Sequence, residues 1–160
     1  MSKKEKRREW EAEYVAEYIQ NYWRGRIYFL HFKITGPPKP LVSEELEPQE
    51  INMLKVYARW ADAVILSPPT LYIVEAKLRV SDYLKALGEL LYYRKIIKSN
   101  PEINWNEFKM VIGILVIPVD DPPFTTLARE LGLRVDVYKP SFWEEFLRSQ
   151  PARYVSPKRT

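Results

Sequence analysis

Two short apolar runs in the first half of the chain, residues 61–66 and 71–74, are both rich in β-branched residues. Two prolines, Pro68 and Pro69, lie between them. Apolar runs of this length and composition favour strands, and prolines between two such runs indicate a turn outside the regular ladder. The pattern therefore predicts a β-hairpin with residues 67–70 as its turn.

The register of this hairpin decides which polar side chains meet. If the turn is centred on the two prolines, Asp62 lies opposite Glu75, and Lys77 follows on the same face because side chains alternate along a strand. Two carboxylates in direct opposition repel each other, so the arrangement predicts a cation between them. The backbone carbonyl of Ala76 adds an oxygen, and Mg²⁺ or Mn²⁺ prefer oxygen ligands. The ammonium of Lys77 is then placed to orient a bound water.

The hydrophobic spacing elsewhere predicts helices and further strands. A helical spacing of apolar residues covers 4–23, and a longer amphipathic helix follows the hairpin over 82–98, with Ser81 as its N-cap. The continuous apolar run 109–119 indicates a buried parallel strand that closes a β-α-β crossover. The other predicted elements are a strand over 26–34, a short helix over 122–131, a strand over 133–138 and a helix over 141–147.

Two segments are predicted to lie outside regular secondary structure. Residues 35–49 form a proline-rich acidic loop that is long enough to act as a flap, and residues 149–160 form a short basic tail. Residues 1–148 are expected to make a single domain, because a chain of this length supports one core. Periodicity leaves residues 51–59 open between a short helix and an early extension of the second strand.

The composition removes several classes of chemistry. The chain of 160 residues has no cysteine, which excludes disulfides, thiolate zinc sites, cysteine nucleophiles and iron–sulfur clusters. Its single histidine, His31, lies in an apolar run and is expected to be structural, which argues against zinc hydrolases and catalytic triads. Its five glycines are scattered, so neither a phosphate-binding loop nor a dinucleotide fingerprint is present.

The formal net charge of +4 and the sequence pI near 9.2 are compatible with a polyanionic partner. No apolar run is long enough to span a membrane, and the N-terminus leads into an amphipathic helix rather than a signal sequence. A cytoplasmic, intracellular protein without membrane contact is therefore expected. The absence of cysteine and the many Lys, Glu and Arg residues resemble the thermophile pattern, and an archaeal or viral origin fits these features.

Asp62, followed by Glu75-Ala76-Lys77 at the end of a second strand, resembles the signature of the PD-(D/E)XK phosphodiesterase superfamily, with Ala61 where a proline often stands. Glu89 and Tyr93 resemble the Gln-x-x-x-Tyr element of its RecB-like branch. The order of the predicted elements is similar to that superfamily too. The resemblance implies an α/β fold with a restriction-endonuclease-like mixed central sheet flanked by helices, namely an αβββαβ core followed by a C-terminal helix, strand and helix.

The resemblance also implies the composition of a metal site. Asp62, Glu75 and the carbonyl of Ala76 would hold Mg²⁺ or Mn²⁺, as the opposed carboxylates already suggest. Enzymes similar to this one often add an acid from the first helix, and the apolar neighbours favour Glu13 ahead of Glu17 for that role.

Glu89 stands where the resembling branch has glutamine. A carboxylate cannot donate a hydrogen bond to a phosphate, so Glu89 in the site would instead orient Lys77 or a metal-bound water. The alternative is an exposed ion pair between Glu89 and Lys85, four residues earlier on the same helix.

The activity implied is that of a metal-dependent nuclease on nucleic acid, with DNA as the first expectation, and Asp62, Glu75, Lys77 and Glu89 as its catalytic residues. The expected contacts to the nucleic acid are Arg79, Lys85, Tyr93 and Arg94. One site cannot reach both scissile phosphates of a duplex, so double-strand cleavage would need a homodimer. The alternatives are a catalytically silent binding or structural module of a DNA-handling or viral assembly and, last, an enzyme that uses the same acids on another substrate.

Overall fold

The computed structural model describes residues 8–35 and 59–150. The strands are β1 (Ile27–Lys33), β2 (Trp60–Ser67), β3 (Thr70–Ala76), β4 (Met110–Ile117) and β5 (Arg134–Val137), and the α-helices are α1 (Trp10–Tyr22), α2 (Tyr83–Ile96), α3 (Pro122–Glu130) and α4 (Trp143–Ser149). The strands form one five-stranded sheet in the order β1-β2-β3-β4-β5. β2 runs antiparallel to both of its neighbours, β1 and β3, whereas β3, β4 and β5 run parallel. The mixed α/β fold and the order of these elements are as the sequence predicts.

Helices cover both faces of the sheet and create two apolar cores. On one face α1 and α4 pack against the sheet, with Tyr14, Tyr18, Trp143 and Phe146 among the buried side chains. On the other face α2 and α3 pack against it through residues such as Leu90, Tyr93, Phe124 and Ala128. The C-terminal half of β4 is therefore buried on both faces, which is why its sequence is a continuous apolar run. The predicted β-α-β crossover is the unit β3-α2-β4.

The predicted hairpin is confirmed, including its register. Val64 pairs with Ile73 and Leu66 with Leu71, as a turn centred on the two prolines requires. One detail of the turn was wrong, because Ser67 and Thr70 pair with each other inside the ladder. Only the two prolines stand outside it, since they are the residues that lack an amide hydrogen.

The second helix is shorter than the predicted span of 82–98. A 3₁₀ turn over Val80–Asp82 precedes α2, so Ser81 belongs to that turn and does not cap the helix. The residue at the N-cap position is Asp82, and it makes no capping hydrogen bond through its side chain. A second 3₁₀ turn, Ile97–Ser99, follows the helix. Such turns commonly replace the first or last turn of an α-helix, which explains why helical spacing overestimates the length.

Three predictions fall largely outside the described residues, namely the flap over 35–49, the open segment 51–59 and the basic tail 149–160. In the part of the chain that the structure describes, no helix has the length and apolar character needed to cross a membrane.

Gly113 in β4 lies against the α2 side of the sheet. A Cβ added there would lie 2.8 Å from Leu133 Cδ2 and 3.4 Å from Leu90 Cδ2, whereas a Cβ added at Gly88 in α2 would meet nothing within 4 Å. We therefore expect Gly113→Ala to lower the free energy of unfolding by about 1–3 kcal/mol through overpacking. Gly88→Ala is the matched control and should raise it by about 0.5–1 kcal/mol, because alanine is the better helix former. Urea denaturation followed by circular dichroism measures both, and changes of the same sign would contradict this packing.

Candidate active site

The carboxyl groups of Asp62 and Glu75 lie together near the ends of β2 and β3. The backbone amide of Ala76 donates to Asp62 Oδ2 at 2.8 Å, which fixes the Asp62 side chain against β3. Glu75 is only 2% exposed. Burial raises the pKa of Glu75 well above its usual range, and the charge of Asp62 and a hydrogen bond to its carboxylate raise it further. Without a cation to balance two negative charges, the buried pair therefore favours retaining a proton.

Lys77 follows directly after β3 and carries the positive charge of the site. Its backbone amide donates to Val116 O at 3.0 Å, so its position is fixed by the pairing of β3 with β4. Burial disfavours its charge, but the surrounding carboxylates, with Glu11 the strongest, outweigh burial and raise the pKa of Lys77. The side chain therefore stays an ammonium at neutral pH, and can donate hydrogen bonds but cannot accept a proton.

Glu89 reaches the same site from α2. Its Oε1 lies 3.9 Å from Lys77 Nζ, and its Oε2 accepts a hydrogen bond from the Tyr93 hydroxyl at 3.0 Å. The Tyr93 hydroxyl also lies 3.3 Å from the carbonyl of Trp60, so its single proton can serve either acceptor. The described residues contain no ion pair between Glu89 and Lys85, and Lys77 is the cation that Glu89 faces. The placement of Glu89 in the site is thus the alternative that the geometry favours.

The acid that α1 contributes is Glu11, and the expectation for Glu13 was wrong. Glu11 Oε2 accepts a hydrogen bond from the backbone amide of Leu78 at 3.3 Å. Burial raises the pKa of Glu11, while the nearby charge of Lys77 opposes the rise. Glu13 instead binds Arg8 at 2.7 Å, and that bond lowers its pKa. Two residues are about 200° apart around a helix, so Glu11 and Glu13 cannot face the same site.

A sequence signal for Glu11 exists in hindsight. Glu11 precedes Tyr14, Val15 and Tyr18 by three, four and seven residues, so it continues the buried stripe of α1 by one turn. Glu17, the second choice, is also elsewhere, because its carboxylate accepts from the backbone amide of Ser141 at 3.0 Å.

The predicted nucleic-acid contacts divide into two groups. Arg79 and Lys85 line grooves beside the site, although the Arg79 guanidinium also donates to Gln150 Oε1 at 2.6 Å. The other two expectations need correction. Tyr93 is 2% exposed and cannot meet a substrate directly, and Arg94 donates to the carbonyls of Leu131 and Gly132 at 3.3 Å, just beyond the end of α3.

Two grooves border the cluster of acids. One groove of about 430 Å³ includes Glu11, and the other, of about 440 Å³, includes Glu89. Lys77 interacts with both acids, so it links the α1 side of the site with the α2 side. A ligand lying in either groove would meet one of these glutamates.

The donors present fit a hard divalent cation. Asp62 and Glu75 offer carboxylate oxygens, and Glu89 Oε1 is buried without a hydrogen-bond partner among the described residues. Within residues 8–35 and 59–150, no group of three or more acidic or histidine side chains is arranged to hold an ion. Mg²⁺ does not need such a cage, because it usually keeps several waters and binds through one or two carboxylates plus substrate phosphates. The site therefore fits an ion whose coordination is completed by water and substrate.

No protein-family model and no curated protein matches the chain. The crystal structure of the protein of unknown function AF1548 is similar with a TM-score of 0.42 and 11% identity, over 92% of this chain and 71% of that chain. A TM-score below 0.5 carries no argument about fold or function, so the interpretation of the site depends on its own residues.

The raised pKa of Glu75 predicts a specific pH dependence of stability. Folded Glu75 binds a proton that unfolded Glu75 has lost above about pH 4.3, so the free energy of unfolding should fall as pH rises, by at most about 1.4 kcal/mol per pH unit. We expect urea denaturation in chelator, between about pH 5 and 8, to show this fall for the wild type and a flatter profile for Glu75→Gln. Mg²⁺ should reduce the fall in the wild type alone. Parallel profiles for the two proteins would contradict the burial of a proton at Glu75.

Proposed function

We propose that this chain is a metal-dependent nuclease that hydrolyses phosphodiester bonds of nucleic acid, with DNA as the first candidate. The observation that carries the proposal is the buried contact between Asp62 and Glu75 beside a charged Lys77. Two opposed carboxyl groups destabilise a sheet unless a proton or a cation balances them, so a purely structural role gives no reason to keep them. A site that binds a divalent ion together with a phosphate does give one.

The order of elements supports a restriction-endonuclease-like fold of the PD-(D/E)XK type. The sequence α1, β1, β2, β3, α2 and β4 follows the αβββαβ core that the residues of the motif imply, and β3 and β4 are parallel neighbours. The acids stand on the elements where that fold would carry them, with Asp62 on β2 and Glu75 on β3. The motif and the element order are separate observations that support the same class.

The residues divide into ligands and orienting groups. Asp62, Glu75 and the Ala76 carbonyl would hold Mg²⁺ or Mn²⁺. The bound ion would supply positive charge that stabilises the phosphate and the leaving oxygen in the transition state. Lys77 keeps its proton, so it would donate a hydrogen bond to the attacking water or to a phosphate oxygen.

Glu11 and Glu89 act on Lys77 from the two helical layers. A lysine ammonium sits on a flexible four-carbon stem, and the two glutamates restrict where the ammonium of Lys77 can lie. Tyr93 in turn holds Glu89 through a hydrogen bond of 3.0 Å. A carboxylate at position 89 therefore has a use that glutamine would serve less well, because it adds a charge that keeps Lys77 protonated.

The first test of this function removes each member of the central group. We expect Asp62→Asn, Glu75→Gln and Lys77→Met each to lower cleavage of linear, circular or branched DNA, or of RNA, at least about 10²-fold, the scale for losing a metal ligand or a positioned hydrogen-bond donor. The assay compares Mg²⁺, Mn²⁺ and chelator. Glu107→Gln, at an exposed acid that precedes β4, is the matched control and should cleave normally.

Circular dichroism of each variant separates lost activity from lost folding. Wild-type rates in any of the three variants would contradict the assignment. A wild type that binds DNA in Mg²⁺ but cleaves no substrate would favour the catalytically silent binding module instead.

A second test distinguishes Glu11 from Glu13 on α1. Glu11→Gln removes a charge that acts on Lys77, so we expect it to lower cleavage about tenfold or more, as for other groups that orient a site. Glu13→Gln removes only an ion pair with Arg8 and should leave cleavage unchanged. Measured rates for both variants under saturating Mg²⁺ provide the comparison. A larger loss for Glu13→Gln than for Glu11→Gln would contradict the assignment of Glu11 to the site.

A further inference from the structure

Trp60 and His31 form an aromatic stack on the surface next to the candidate active site. Their ring centroids are 4.5 Å apart and the ring planes differ by 7°, so the two rings are nearly parallel. Trp60 remains 45% exposed although His31 covers part of it. A large aromatic surface is thus left open to solvent. The pairing of Trp60 with Lys33 in the β1–β2 ladder involves the backbone and does not cover the indole ring.

This stack is connected to the acids of the site. Trp60 stands two residues before Asp62 on β2. Its carbonyl lies 3.3 Å from the Tyr93 hydroxyl, which in turn donates to Glu89 at 3.0 Å. The backbone of Trp60 is therefore fixed relative to the carboxyl pair by both a strand and a hydrogen-bonded side chain, and His31 stacks on its ring.

His31, which stacks on Trp60, has a left-handed backbone conformation. Among the described residues, His31 is the residue other than glycine that has a positive φ, with a value of 51°. A side chain other than glycine in that region costs about 1–2 kcal/mol, and such positions persist where the surroundings stabilise them. His31 was expected to be a structural residue of an apolar strand, but it is exposed and lies on Trp60.

The neighbouring side chains are basic and aromatic. Lys33 Nζ lies 5.9 Å from the centroid of the Trp60 ring. In the groove that contains Glu89, the Arg59 guanidinium lies 5.9 Å from the ring of Tyr92, which is 46% exposed, and Lys85 is part of the same groove. Aromatic faces alternating with cations are the pattern that binds single strands, because bases stack on the rings while the cations contact phosphates.

We propose that the exposed face of Trp60, supported by His31, is a stacking subsite for an unpaired nucleobase of the strand whose phosphate lies at Asp62 and Glu75. This inference rests on the proposed function for the identity of the cleaved strand. It adds the substrate class: nucleic acid with unpaired bases next to the cleaved bond, such as single strands, flaps or frayed ends. A base inside an intact duplex is stacked on its neighbours and cannot occupy this surface without leaving them.

The test measures binding rather than cleavage, so it does not depend on the enzyme being active. Fluorescence-labelled single-stranded DNA and a blunt duplex of the same sequence are titrated with the full chain in Ca²⁺. We expect Trp60→Leu to bind the single strand about fivefold or more weakly, the fold-change that corresponds to losing one stacked base. Duplex binding should change less than twofold, and Trp60→Phe, which keeps an aromatic face, should retain most single-strand affinity.

Tyr28→Leu is the matched control, because Tyr28 is 40% exposed and pairs with Ile65, towards the hairpin-turn end of the β1–β2 ladder. It should leave both affinities unchanged. Intrinsic tryptophan fluorescence supplies a second readout: single-stranded DNA should quench the wild type and Tyr28→Leu but not the two Trp60 variants. A single-stranded RNA of the same sequence shows which sugar the subsite accepts. Weaker binding of Trp60→Leu to the single-stranded DNA or to the single-stranded RNA, with duplex binding retained, supports the subsite.

Equal losses for single strand and duplex in Trp60→Leu, or no loss for either, would overturn the subsite. These outcomes are separate from a failure of the proposed function. If the wild type cleaves nothing but binds single strands through Trp60, the nuclease is rejected and the stacking surface stands. If it cleaves through Asp62 and Glu75 while Trp60→Leu binds normally, the reverse holds.

Discussion

The contact between the carboxyl groups of Asp62 and Glu75 is unfavourable in itself, and several other features of the structure keep the two groups together. The two-proline turn fixes the register that brings the acids together, and the Ala76 amide binds Asp62 at 2.8 Å. The ladder between β3 and β4 prevents Glu75 from moving away. Because Glu75 is buried, its pKa is raised and the pair favours retaining a proton, which reduces the repulsion until a cation balances the charge.

Lys77 makes the site depend on both helical layers at once. Glu11 approaches from α1, which packs on one face of the sheet, and Glu89 approaches from α2 on the other face. The two apolar cores therefore do more than stabilise the sheet, since each one sets the position of one glutamate. A repacking of either core would move an acid relative to the ammonium that it orients, which couples folding to the proposed chemistry.

The surroundings of the site address the repulsion between carboxylates and a phosphate backbone. Lys33, Arg59 and Lys85 provide positive charge beside the cluster, and Trp60 and Tyr92 provide exposed aromatic faces. Positive charge attracts any nucleic acid, whereas aromatic faces favour bases that are free to stack. Under the proposed function, this combination would concentrate binding at one place on a chain with a net charge of only +4.

Sequence patterns alone were sufficient to predict the hairpin, its register and the proximity of Asp62, Glu75 and Lys77. These features depend on a period of two and on a turn only a few residues long, so local rules are sufficient. Sequence patterns also identified the β-α-β crossover, because a continuous apolar strand can be satisfied only between two layers. The place of Glu89 near the site could also be predicted, because its helix is the next α-helix after β3 in the chain.

Which side chains from distant elements face the site depends on tertiary packing, which sequence patterns do not reveal. The apolar stripe of α1 is compatible with Glu11, but the direction in which this stripe faces depends on hydrogen bonds from Tyr14 and Tyr18 to residues more than a hundred positions later. Arg94 does not face the site, because its guanidinium donates to a backbone carbonyl just after α3. Tyr93 cannot contact a substrate, because its side chain is buried in the neighbouring core. The stack of His31 on Trp60 joins residues separated by the whole segment 36–58, so no local pattern could indicate it.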